Sequence, residues 1–154
     1  MKTKIKLSLL YLMAISSVFF YSCEDGDTEK PVINLIEPED GDVLKIGSDI
    51  HFEMELSDNV MLKSYKVEIH SNFDGHGHRS TASTINFTFS KSWDVHQRNA
   101  FIHHHEIEIP ESATPGDYHL MVYCADEAGN ESYVARNIVL SHTGKEHQHH
   151  DHED

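Results

Sequence analysis

Hydrophobic residues recur at every second position along most of the chain, the signature of strands with one buried face. Ile50, Phe52, Met54 and Leu56 alternate with His51, Glu53 and Glu55. Tyr65, Val67 and Ile69 alternate with Lys66, Glu68 and His70, and Tyr118, Leu120, Val122 and Cys124 with His119, Met121 and Tyr123. Shorter runs at 32–36, at Ile85, Phe87 and Phe89, at 101–109 and at 133–140 complete about seven predicted strands. Turn residues separate them, among them the acidic stretch at 37–42, a long polar loop at 71–83, and Gly129-Asn130 before the last strand. No stretch carries a helical period. The pattern predicts an all-β fold, a single Greek-key β-sandwich over residues 31–141.

The two ends break this pattern in different ways. Residues 7–20 are a run of Leu, Ile, Val, Met and Phe behind three lysines, the layout of a signal peptide over 1–22. The run is shorter than the roughly 20 residues that span a bilayer. It stops at Tyr21-Ser22-Cys23, where lipoprotein signal peptidase would cut ahead of the cysteine, so Cys23 is expected to carry the lipid of a membrane anchor. An ordinary secretory cleavage that leaves Cys23 unmodified is the alternative. Residues 23–30 then form the lipidated Cys and an acidic tether. Residues 142–154, including His142, His147, His149, His150 and His152, lack apolar side chains and are expected to form a disordered His-rich tail.

Composition narrows the partners. Removing the three lysines of the leader from 12 Lys+Arg leaves 9 cationic against 26 acidic side chains, a formal charge of −17. Such a surface repels nucleic acid and anionic lipid headgroups and favours metal cations and basic proteins. Fourteen histidines, none in the leader, are several times ordinary usage. With Cys23 acylated, Cys124 has no intramolecular disulfide partner, so packing alone must hold the core.

Residues 116–130, GDYHLMVYCADEAGN, resemble the last two strands of bacterial immunoglobulin-like domains, whose pattern is Gly-x-Tyr-x-Leu followed by Ala-x-Asp-x-Ala-Gly-Asn at the turn. Pro31-Val-Ile-Asn-Leu-Ile with Gly41 and Gly47 is similar to their first strands. The whole span 31–141 resembles a Bacteroidetes surface lipoprotein family known as a domain of unknown function. Glu24-Asp25-Gly26-Asp27 resembles the signal that exports such lipoproteins to the outer face of the outer membrane. The resemblance implies an immunoglobulin-like sandwich, lipid-anchored and facing the cell exterior; it implies no activity.

An immunoglobulin-like topology would make the strands around 65–70 and 118–124 antiparallel neighbours, setting His70 beside His119 on the solvent face. The loop leaving the first of these carries Asp74-Gly75-His76-Gly77-His78, and its glycines let both imidazoles turn toward one point. His70, His76, His78 and His119 are therefore expected to converge on a divalent metal, with Asp74 as a spare ligand. Four imidazoles suit zinc, while copper and nickel accept the same donors. The alternative is a solvated polar edge whose histidines never meet.

A second group is His103-His104-His105. Counted in twos, His103 and His105 share the inward face of Ile107 and Ile109, where they serve as ligands, with nearby His96, or as half-buried polar residues. His104 falls with Glu106 and Glu108. Opposite, His51, Glu53 and Glu55 read as an acidic solvent face, pairing Glu55 near His104 and His51 near Glu108. Asp126, Glu127 and Asn130, with Asp58 and Asn59, can offer oxygens to calcium at the other end, though tight turns use the same residues without an ion. No Gly-x-Ser-x-Gly elbow is present, Cys124 alternates inward, and Trp93 reads as core rather than as a sugar platform, so no enzyme is expected. Two functions remain: a surface lipoprotein binding zinc, or an interaction module binding a surface protein or glycan.

Overall fold

Alternation of apolar residues translates into two facing sheets. A computed structural model describes residues 26–72 and 85–144. Along these the chain forms β1 (Val32–Glu37), β2 (Val43–Lys45), β3 (Asp49–Ser57), β4 (Leu62–Ser71), β5 (Phe89–Asp94), β6 (Asn99–Glu108), β7 (Gly116–Asp126) and β8 (Glu131–Ser141). One sheet has the order β1-β3-β6 and the other β2-β8-β7-β4-β5. The pairs are antiparallel except β2, which runs parallel to β8 through Val43↔Val139 and Leu44↔Leu140. The architecture is all-β and consistent with an immunoglobulin-like sandwich. Residues 1–25, 73–84 and 145–154, which hold the leader, Cys23, Asp74, His76, His78 and most tail histidines, lie outside the described residues.

The inward positions form one cluster. Ile50, Phe52, Met54 and Leu56 of β3 and Ile107 of β6 line one layer, and Val67, Ile69, Tyr118, Leu120, Val122, Ile138 and Leu140 the other; all are essentially inaccessible. Each such side chain contributes about 1.5–3 kcal/mol of transfer free energy, the term that selects this register over a one-residue slip. Cys124 belongs to the same cluster, and burial pushes its thiol up to about 12. Tyr118 brings a hydroxyl inside, and both of its bonds are made: it donates to the Thr114 carbonyl at 2.8 Å and accepts the Phe87 N–H at 3.2 Å.

Two details differ from the sequence expectation of about seven strands. β2 is an eighth strand of three residues, too short to show a period; it is held by its parallel edge on β8, and Gly47, at φ +83°, turns the chain from it into β3. The strand expected around Ile85, Phe87 and Phe89 begins only at Phe89. Ile85 is 60% exposed and makes an isolated bridge to Ala113, whereas the pairing with β4 runs from Ile69↔Phe89 to Ser64↔Asp94. Trp93 therefore lies within a strand, packed against the core and stacked on Tyr65 at 4.8 Å.

Candidate metal centre

The parity of the apolar residues in β6 changes midway. Ala100 and Ile102 point inward at even positions, Ile107 and Ile109 at odd ones. A continuous strand can satisfy both only with one extra residue between them, and the pairing with β3 supplies it. Ile50 faces Ile107, but Phe52 faces His104, so the single residue His51 stands opposite His105 and Glu106. This is a β-bulge, and it reverses the face of every residue on one side of it.

The sequence expectation that His103 and His105 face inward with Ile107 is therefore overturned: both lie on the solvent side, His103 exposed and His105 half-buried. His104 is the inward residue instead. It stacks on Phe52 at 5.0 Å and on Trp93 at 5.1 Å, and burial holds its pKa below the usual imidazole value. The expected pairings of Glu55 with His104 and of His51 with Glu108 are not formed either, because β3 and β6 pair in a different register. Glu55 is opposite Phe101, Glu53 opposite His103, and Asp49 opposite Glu108.

The bulge brings His51 of β3 against His103 and His105 of β6. Ring centroids lie 4.9 Å apart for His51–His103 and His51–His105, and 5.6 Å apart for His103–His105. Each ring offers one nitrogen such that all three nitrogens lie within 4.8 Å of one another. The tightest contact is His51 Nδ1 to His105 Nε2, 3.2 Å. Two nitrogens bound to one zinc at about 2.0–2.1 Å in a tetrahedron are about 3.3–3.4 Å apart, so this spacing fits two ligands of one ion. It also fits an N–H···N hydrogen bond.

Both outward ring nitrogens meet carboxylates. Asp49 Oδ2 is 2.6 Å from His105 Nδ1, and Glu53 Oε2 is 3.4 Å from His51 Nε2. An acceptor on one imidazole nitrogen holds the proton there and leaves the lone pair on the other, the arrangement that orients metal-bound histidines. Asp49 and His105 also border an open groove of about 820 Å³, lined in part by Phe87, Ile109 and Glu111, which gives the cluster access to solvent.

His70, His119 and His96 fall elsewhere among the described residues. His70 and His119 are Cα partners on β4 and β7, their rings edge-to-face at 5.4 Å, while His76 and His78 lie outside the described residues. His96 does not join the cluster; its Nδ1 is 3.2 Å from Glu127 Oε1. His51 is the member of the cluster that sequence reasoning missed. The signal that finds it is the change of parity between Ile102 and Ile107, which demands a bulge at the histidines.

The family model described as Domain of unknown function (DUF4625) matches residues 21–141. No curated protein matches the chain.

Proposed function

The chain belongs to this family of unknown function, and we propose that it is a lipid-anchored protein of the outer cell surface that binds a divalent transition metal, zinc by preference. His51, His103 and His105 are the ligands, and Asp49 and Glu53 hold two of the rings. The observation that carries this reading is the 3.2 Å approach of His51 Nδ1 to His105 Nε2, with a carboxylate behind each ring. Histidine bonded outward to a carboxylate and inward to a metal is a recurring zinc arrangement. The acidic surface favours cation capture, and the role is binding rather than catalysis. Cys23 supplies the anchor, which the leader sequence supports; replacing Cys23 by Ser should move the protein from the membrane to the soluble fraction.

The test is zinc titration of a chain ending at Gly144, which keeps His142 but lacks the four later tail histidines and retains every core residue from Leu35 to Leu140. One zinc per chain is expected, lost in His51→Ala and His103→Ala and kept in His70→Ala. Binding that survives His51→Ala but disappears in His70→Ala moves the site to the β4–β7 edge. No binding at all leaves the histidines hydrogen-bonded to one another. The second reading, an interaction module for a surface protein or glycan, is favoured by one observation. Val32 and Phe101, each 61% exposed, line a shallow groove on the outer side of the three-stranded sheet.

A further inference from the structure

The far end of β3 from His51 carries a second convergence, of oxygens rather than nitrogens. Asp27 of the segment before β1, Asp58 of the β3–β4 turn and Asp126 at the end of β7 each offer one carboxylate oxygen, all within 4.8 Å of one another. Asp126 is only 1% exposed. Burial alone would raise its pKa, but hydrogen bonds from Asn130, through Nδ2 and the backbone N–H at 2.7 Å each, hold it below the ordinary value.

Acidic side chains gather in turns without any ion, so their proximity is not the argument. Two of the oxygens are sealed from solvent and receive no hydrogen bond from the described residues: Oδ2 of Asp27 and Oδ1 of Asp58. The other oxygen of each is fully used. Asp58 Oδ2 accepts the N–H groups of Val60 and Met61 at 2.8 and 2.7 Å, and Asp27 Oδ1 accepts from Asn59 Nδ2 at 2.8 Å and Glu29 N–H at 3.1 Å. A buried anionic oxygen without a donor is strongly disfavoured unless something positive or protic fills the space beside it. Arg98 reaches this end of the sandwich, but its guanidinium donates to the backbone oxygen of Asn59.

We propose that Asp27, Asp58 and Asp126 bind a calcium ion that fastens the segment preceding β1 to the sandwich. Calcium takes six to eight oxygens at about 2.3–2.6 Å, so two oxygens on opposite sides of one ion are at most about 5 Å apart, a limit all three carboxylates meet. The all-oxygen donor set suits calcium and not a nitrogen-seeking transition metal, so the two ends of β3 select different ions. Asn130 braces the arrangement, its Nδ2 donating both to Asp126 Oδ2 and to the Asp27 carbonyl at 3.1 Å. Asp27 stands four residues after Cys23. Calcium there makes the last residues of the tether part of the rigid domain and sets the angle at which the sandwich leaves its anchor.

The experiment is calorimetric titration of the full chain, in detergent and free of transition metals, with calcium chloride. Extracellular calcium modules bind at about 10⁻⁴–10⁻³ M, and that range is expected here. Asp27→Asn, which lies outside the strands and core, should weaken binding at least tenfold. Asp58→Asn, which keeps an acceptor for Val60 and Met61, should do the same. Amide NMR signals of Glu29, Asn59 and Asn130 should shift with calcium, and His51→Ala should change none of this. Absence of heat and of amide shifts up to about 10 mM calcium overturns the proposal, leaving an ordered water as the partner of the two oxygens. Binding of unchanged strength in Asp27→Asn overturns it equally.

Discussion

Replacing Asp49 by Asn and by Ala separates two contributions of its carboxylate to the histidine cluster. Its Oδ2, 2.6 Å from His105 Nδ1, keeps a proton on that nitrogen and so leaves the Nε2 lone pair facing His51. It also places a negative charge behind a ring that would donate to a cation. Losing such a partner typically weakens metal binding by about 10- to 100-fold, or about 1.4–2.7 kcal/mol. Asparagine retains an acceptor oxygen and loses the charge, so Asp49→Asn should fall near the tenfold end. Alanine loses both, so Asp49→Ala should approach a hundredfold. Glu53→Gln should cost less than either, because its contact to His51 is longer at 3.4 Å and partly solvated. Competition against a chromophoric zinc chelator near pH 7.5, on the chain ending at Gly144, resolves this series, with a urea melt to show that each variant folds. Zinc affinity within twofold of wild type in Asp49→Ala refutes the reasoning, as does Asn binding more weakly than Ala.

Three further outcomes follow from the core. Tyr118→Phe removes the hydroxyl that serves Phe87 N–H and the Thr114 carbonyl, and should cost about 2 kcal/mol, lowering the melting temperature by about 8 °C; no measurable change would mean that water replaces both bonds. His104 has a depressed pKa in the fold because it is buried between Phe52 and Trp93. The unfolded chain therefore takes the proton first, and stability should fall as pH drops through about 6.5. His104→Phe should raise the melting temperature more at pH 5 than at pH 8; an equal gain at both would show that proton uptake is not involved. In a Cys23→Ser chain, Cys124 is the sole thiol, buried and with its pKa pushed up to about 12. A thiol reagent at pH 8 should leave it untouched until denaturant opens the domain, and rapid native labelling would contradict the packing.

The strands were legible because a half-buried strand writes its burial into the sequence at period two. Ile50 to Leu56, Tyr65 to Ile69 and Tyr118 to Cys124 point inward as their alternation requires. The position of His70 opposite His119 followed from the same alternation once the two strands were taken as neighbours. β2 carried no such signal, since three residues hold less than two periods, and its place depends on the edge that β8 offers.

The sites themselves were decided in three dimensions. Period two propagates from wherever counting starts, so one unrecognised bulge inverted the assignment of His103, His104 and His105. The contradictory parity of Ile102 and Ile107 was visible, but which residues would bulge, and that His51 would stand opposite them, depended on pairing with a strand some fifty residues earlier. The carboxylates at the other end make the same point, for Asp27 and Asp126 are 99 residues apart and meet only through closure of the sandwich. Burial patterns are local and can be read along the chain; a ligand sphere is a coincidence of side chains distant in sequence, and only the pairing of strands and the closure of the sandwich create it.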